Sequence, residues 1–194
     1  MKISGLFLVV LMLALSGCST PNLTGYNWAQ LSDGEVFHIG ADDVLKVDFF
    51  TQKDLSGEVI VRPDGYIDLP LIGEVKVGGK TPDEARVAIV DKMREFEKNP
   101  VVTVQFKAVK SYRIYLMGQI QRPGEFQPTR KVTVMQALSL GGGLTSFAEA
   151  DEILIIRRVG NDEQHIPFVY SLILKGEMSQ MNITLASGDT VVVP

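Results

Sequence analysis

Thr81-Pro82-Asp83-Glu84-Ala85-Arg86-Val87-Ala88-Ile89-Val90-Asp91-Lys92-Met93 decides the fold class. Thr81 stands where a helix N-cap is needed, Pro82 at the first helical position and Glu84 at the third, which is a capping box. Ala85, Ala88, Ile89, Met93 and Phe96 then recur at helical spacing and predict one apolar face. The residue before a proline disfavours helix, so the helix must end before Asn99-Pro100. Immediately beyond, Val101-Val102-Thr103-Val104-Gln105-Phe106 is β-branched and predicts a strand. On the upstream side, Val44-Leu45-Lys46-Val47-Asp48-Phe49 alternates as a half-buried strand should. Glu58-Val59-Ile60-Val61 predicts a second strand. Arg62-Pro63-Asp64-Gly65 is a turn, because Pro pre-sets its φ and Gly accepts a positive one. Tyr66-Ile67-Asp68-Leu69-Pro70 would return as the other arm of a hairpin, and Ile72 to Val77 alternates again.

The second half repeats the mixed pattern. Tyr112 to Met117 predicts a strand and Gln121-Arg122-Pro123-Gly124 a turn. Val132 to Leu140 predicts a short helix, stopped by Gly141-Gly142-Gly143. Ile153-Leu154-Ile155-Ile156 predicts a buried strand followed by a turn at Gly160-Asn161-Asp162. Ser171 to Leu174 fits one helical turn, and Thr190-Val191-Val192-Val193 a closing strand. This order of elements predicts an α+β fold of two small mixed domains, 36–108 and 109–194.

The N-terminus adds an address. Met1-Lys2 followed by an apolar run from Ile3 to Leu15 has the layout of a secretory signal peptide, residues 1–17. That run is too short to span a bilayer as a helix, which needs about 20 apolar residues. Leu15-Ser16-Gly17-Cys18 resembles a bacterial lipobox, so Cys18 is the expected acylation site, carrying palmitate-type chains. By resemblance to enteric lipoproteins, Ser19 after the cysteine implies the outer membrane, on its periplasmic face. Residues 18–35, with Pro21, Asn22, Gly25, Ser32 and Gly34, predict a polar tether, and Trp28 within it a membrane-interface anchor. Cys18 is the sole cysteine, which excludes an internal disulfide framework and a thiolate metal cluster.

Composition and spacing argue against several functions. The 194 residues are 45% hydrophobic, with a net charge of −4 and a pI near 5.2, against a nucleic-acid-binding face. The small basic clusters Lys107/Lys110/Arg113 and Arg157-Arg158 predict solvated surface. Two histidines, His38 and His165, have no neighbours at metal-ligand spacing, so no metal site and no cofactor are expected. Asp42-Asp43 could suggest paired carboxylates for glycoside hydrolysis, but adjacent strand residues point to opposite faces. Gly141-Gly142-Gly143 follows a helix, whereas a phosphate-cradling loop precedes one. No catalytic residue and no enzyme activity are expected. Trp28, Tyr112 and Tyr115 could stack on sugar rings; strand or core packing is the expected role of the tyrosines.

In series, these motifs resemble the outer-membrane polysaccharide export family. Phe37-His38-Ile39-Gly40-Ala41-Asp42-Asp43-Val44-Leu45, Arg62-Pro63-Asp64-Gly65 with Ile67, Pro70-Leu71-Ile72-Gly73, Gly79 to Ala85, and Asn99-Pro100 match its export domain. Gly118-Gln119-Ile120 with Pro123-Gly124, Thr133 to Leu138 before Gly141 to Leu144, and Leu185 to Pro194 resemble a soluble-ligand-binding β-grasp (SLBB) domain. The resemblance implies a periplasmic ring that conducts capsule or exopolysaccharide, a homo-oligomer for which an octamer is one count it allows. It implies polysaccharide, outer-membrane lipid, an outer-membrane β-barrel exporter and an inner-membrane polysaccharide co-polymerase as partners. Long members continue into further repeats and a pore-forming helix. Ending at Pro194 predicts a short member that needs a separate barrel. Arg62, Pro63, Asp64 and Gly65 would face the lumen or a neighbouring subunit. The other reading is a glycan- or protein-binding scaffold lipoprotein without conduit activity; a stable monomer would favour it.

Overall fold

The computed structural model describes residues 23, 25–34 and 36–194. Cys18 and the expected signal segment lie outside the described residues. Among the described residues, helices α1 (Trp28–Leu31), α2 (Pro82–Met93), α3 (Val134–Leu140) and α4 (Tyr170–Leu174) are interspersed with ten strands. The fold is α+β, organised around two hydrophobic clusters.

The first cluster gathers around a three-stranded antiparallel sheet. Its order is β2 (Gly57–Ile60), β1 (Val44–Phe49), β5 (Val102–Ala108). Leu45, Val47 and Phe49 alternate into the core from β1, as the period-2 pattern requires. Ala85, Ile89 and Met93 of α2 cover that face. The capping box at Thr81 and Glu84 forms in both directions. The helix ends sooner than Asn99, at Met93, so Phe96 falls outside it and is exposed rather than continuing the apolar face.

The hairpin expected across Arg62–Gly65 is corrected by the register. β2 pairs with β1, and β3 (Tyr66–Leu69) pairs with β4 (Gly73–Lys76) in a two-stranded sheet of its own. The turn itself forms, with Gly65 N–H donating to the Arg62 carbonyl and Gly65 at φ +79°. Pairing stops there because Val61 N–H donates to Asp43 and the Val61 carbonyl accepts from Asp42. Those bonds commit the chain before the turn to β1.

The second cluster lies against a five-stranded sheet ordered β7 (Gly124–Phe126), β6 (Ile114–Gly118), β10 (Thr190–Val193), β8 (Ile153–Val159), β9 (Asp162–Phe168). The C-terminal strand β10 is central. It runs parallel to β6 and antiparallel to β8, with Val191 and Val193 fully buried. α3 begins at Val134, two residues later than expected, because Thr133 and Gln136 form a second capping box. Strand β9 was not foreseen: beyond the turn at Gly160-Asn161-Asp162 no element was expected before Ser171, yet Asp162–Phe168 pairs with β8 across seven positions.

The polar-tether expectation is corrected over its C-terminal part. Trp28 and Leu31 are buried in the second cluster, and Tyr26 stacks on Trp28 with ring centroids 5.1 Å apart. Asp33 N–H donates to the Thr184 carbonyl and Thr184 N–H donates to Ser32 Oγ. Trp28 is therefore a core residue, not an interface anchor.

Candidate functional site

Three arrangements of polar residues stand out, and each is set up by the local fold. The first is the exposed tip formed by Arg62-Pro63-Asp64-Gly65 and the β3–β4 hairpin. The Arg62 guanidinium donates to Asp64 (2.6 Å) and Asp68 (3.3 Å) and forms a short contact with Glu74. The Glu74 hydrogen bond, with the charges of Asp64 and Asp68, raises the Arg62 pKa well above its ordinary value. Lys76 adds a bond to the Asp64 carbonyl and lies 4.6 Å from the Tyr66 ring centroid. Gly65 is required here, since a Cβ would lie 3.2 Å from the Gly78 Cα. The four residues singled out in the sequence thus sit together on a turn braced by ion pairs.

The second arrangement joins the two halves. Asp43 is fully buried and its carboxylate accepts four hydrogen bonds. Oδ1 takes the backbone N–H groups of Lys110 (2.7 Å) and Ser111 (2.8 Å), and Oδ2 takes Gly40 N–H and Ser111 Oγ–H, both at 2.8 Å. Asp42, at φ +68°, turns outward to Arg113 at 3.2 Å. The acidic pair does not flank a common space; one carboxylate is a joint and the other a surface ion pair. Phe37 bridges the same seam, edge-on to Phe106 and Tyr112.

The third is Arg157 with Asp189. Arg157 was expected on solvated surface, as was Arg158, and only Arg158 is exposed. Arg157 occupies an inward position of β8 and pairs with Asp189 at 2.8 and 2.5 Å. Burial alone would lower its pKa, but the Asp189 hydrogen bond and charge outweigh that and the net shift is upward. A further bond from Arg157 reaches the Leu31 carbonyl and ties α1 to the sheet. Tyr112 is buried: its hydroxyl donates to the Leu185 carbonyl and accepts from Val132 N–H, both at 3.1 Å. Desolvation raises its pKa. It is a packing residue with no face open to a sugar, while Tyr115 is half-buried beside an open cavity with Met117 and Pro123.

Among the described residues no group of three His, Cys, Asp or Glu side chains could hold a metal ion. Among them, too, no helix is long and apolar enough to cross a membrane.

Residues 32–107 match the polysaccharide biosynthesis/export protein family, and residues 112–193 match the SLBB domain. The chain belongs to the polysaccharide export family and carries an SLBB domain. The first family segment holds the cluster around β1–β5, and the second holds the cluster around β6–β10 except for Trp28 and Leu31, which come from before both segments. The chain is similar to the exopolysaccharide production protein ExoF of Rhizobium meliloti, 32% identical over 130 residues, covering 60% of this chain and 30% of that protein. It is 31% identical over 133 residues to the EPS I polysaccharide export outer membrane protein EpsA of Ralstonia nicotianae, covering 68% of this chain and 34% of EpsA. It is 24% identical over 152 residues to the polysialic acid transport protein KpsD of Escherichia coli, covering 78% of this chain and 27% of KpsD. The export-family chain therefore spans about a third or less of the length of these relatives. Their names are those of export, transport and production proteins.

Proposed function

We propose that this chain is the periplasmic, outer-membrane-anchored ring component of a polysaccharide export system, conducting capsule or exopolysaccharide polymer toward the cell surface. The observation that carries the reading is the export family and the SLBB domain in series, one on each hydrophobic core. We assign the export domain to 36–108 and the SLBB β-grasp domain to 109–194. Acylation of Cys18 supplies the anchor, supported by Leu15-Ser16-Gly17-Cys18 behind an apolar leader. A single acyl chain holds a protein only marginally, whereas two or more hold it stably.

A conduit does its work by shape. It needs a closed ring, built from a head-to-tail contact in which two different patches of one chain meet. The Arg62–Gly65 tip is our candidate for such a patch or for the lumen wall. It is exposed, and Arg62 is held by three carboxylates so that its geometry is set before a neighbour arrives. The partners that go with this reading are an outer-membrane β-barrel exporter above and an inner-membrane polysaccharide co-polymerase below.

The test is the mass of the acylated chain extracted from membranes in mild detergent. A closed multimer is the expected result, with palmitate label on the wild type and none on Cys18→Ala. A monomer at all concentrations would sink the ring and leave a glycan- or protein-binding scaffold.

A further inference from the structure

Beside the start of α3, Phe37, Arg130, Lys131, Thr133, Gln136 and Thr184 line a cavity of about 390 Å³. No carboxylate is among those residues. The capping box of α3 fixes two of them: Gln136 Oε1 accepts Thr133 N–H at 3.0 Å, and Thr133 Oγ accepts Gln136 N–H at 3.4 Å. Both residues line the cavity, and with those backbone bonds made the Gln136 amide N–H₂ and the Thr133 O–H remain available as donors. The charge comes from Arg130. Lys131 is already committed, its ammonium 2.5 Å from Asp33 and 5.7 Å from the Phe37 ring centroid. Arg130 is exposed and has no carboxylate within ion-pair distance among the described residues. A cationic, donor-lined cavity on a chain of net charge −4 selects for an anion.

The cavity does not stand alone. A second one, about 470 Å³, shares Arg130 and Gln136 with it and runs past Met135 to Leu140. The two cavities adjoin where Arg130 and Gln136 line both, and together they form a groove beside α3 with Phe37 lining one part and Leu140 the other. Guanidinium forks match carboxylates bidentately, while hydroxyl and amide donors suit ring hydroxyls.

We propose that this groove is a binding subsite for a carboxylate-bearing sugar residue of an acidic polysaccharide, read by Arg130 and oriented by Thr133, Gln136 and Thr184. The inference rests on the export reading for the polymer, and adds that the polymer is acidic and where the chain touches it.

The test is an NMR titration of the full-length chain carrying Cys18→Ala with a galacturonate oligosaccharide and, separately, with its carboxyl-reduced neutral counterpart. The acidic form should bind about tenfold more tightly, with shifts at the Arg130 and Gln136 side chains, and Arg130→Ala should erase the preference. Arg130 is exposed, so the variant should unfold in urea like the wild type. Thr184→Val should weaken both sugars by a smaller factor. Equal affinity for the two oligosaccharides, binding of neither, or an undiminished preference in Arg130→Ala would overturn the subsite. None of these results bears on the ring or the anchor, which the detergent mass tests separately.

Discussion

Arg157 and Asp189 show what a single pair can hold together. Side-chain exposure is 12% and 1%, and Asp189 also accepts the Ala186 N–H at 2.8 Å. Removing one partner of a buried ion pair strands the other charge, which costs about 3–5 kcal/mol. Asp189→Ala should therefore lower the urea unfolding free energy by about that amount, whereas Arg158→Ala, on the exposed side of the same strand, should change it by about 0.5 kcal/mol or less. Equal effects would show that the pair is not buried in solution. Gly118 is a second point of this kind. It has φ +85°, and a Cβ there would lie 1.9 Å from the Val193 carbonyl oxygen. Gly118→Ala must push β10 away from β6, and its melting point should fall more than that of Gly160→Ala, where the space is open. The Arg157 pair was legible in the parity of the sequence. Arg157 has the same parity as Ile153 and Ile155, and Asp189 the same as Val191 and Val193, so both carry charge on the buried face. Treating Arg157-Arg158 as one basic cluster concealed it. Asp43 left no such signal, because its four donors come from Gly40 and from Lys110-Ser111, a loop far along the chain.

At the scale of elements, capping chemistry was the most transferable part of the sequence. Thr-x-x-Glu and Thr-x-x-Gln set the first residues of α2 and α3. Thr81→Ala should destabilise the chain by about 0.5–2 kcal/mol in chemical unfolding. The cap also has a pH signature. The Thr81 backbone N–H holds the Glu84 carboxylate below its ordinary pKa of 4.5. A depressed folded pKa gives stability that is complete above the unfolded value and is lost as pH falls through the folded one. Glu84→Gln keeps the hydrogen-bond geometry without the charge. Its melting point should lie below wild type at neutral pH, and the gap should close as pH falls below the ordinary carboxylate range. A gap constant with pH would show that the charge contributes nothing. Strand pairing was less legible than capping. Glu58–Val61 and Tyr66–Leu69 flank a good turn, but register is a tertiary property, and β1 competes for β2 more successfully than β3 does. Strand β9 was missed for a related reason: its first half is polar and exposed at a sheet edge, held by pairing with β8 and not by burial.

At the scale of the whole molecule, the segment after the expected lipid anchor is partly built into the fold. Trp28 is the only tryptophan in the chain and is 8% exposed. Its fluorescence should be blue-shifted in the native chain and move to the red in the same urea transition that unfolds the sheet. A red-shifted native spectrum would return Trp28 to a solvated tether. Trp28→Ala should cost about 3–5 kcal/mol, the range for emptying a buried tryptophan site. The Asp43 joint sets the other large-scale expectation. Asp43→Ala removes the acceptor of the part-buried N–H groups of Lys110 and Ser111, which should cost about 1 kcal/mol, and should raise hydrogen exchange at those two amides before it affects either sheet. Composition and motif order were enough to read two α+β halves. The contacts between the halves were not legible, because they depend on which loops meet.

The export claim itself is tested most directly in the cell. The gene would be deleted and polysaccharide quantified separately at the surface, in the medium and in the periplasm, with wild-type and Cys18→Ala chains supplied in parallel. The account predicts loss of external polymer with synthesis intact, polymer trapped in the periplasm, rescue by the wild type and none by Cys18→Ala. Unchanged external polymer in the deletion strain would contradict it.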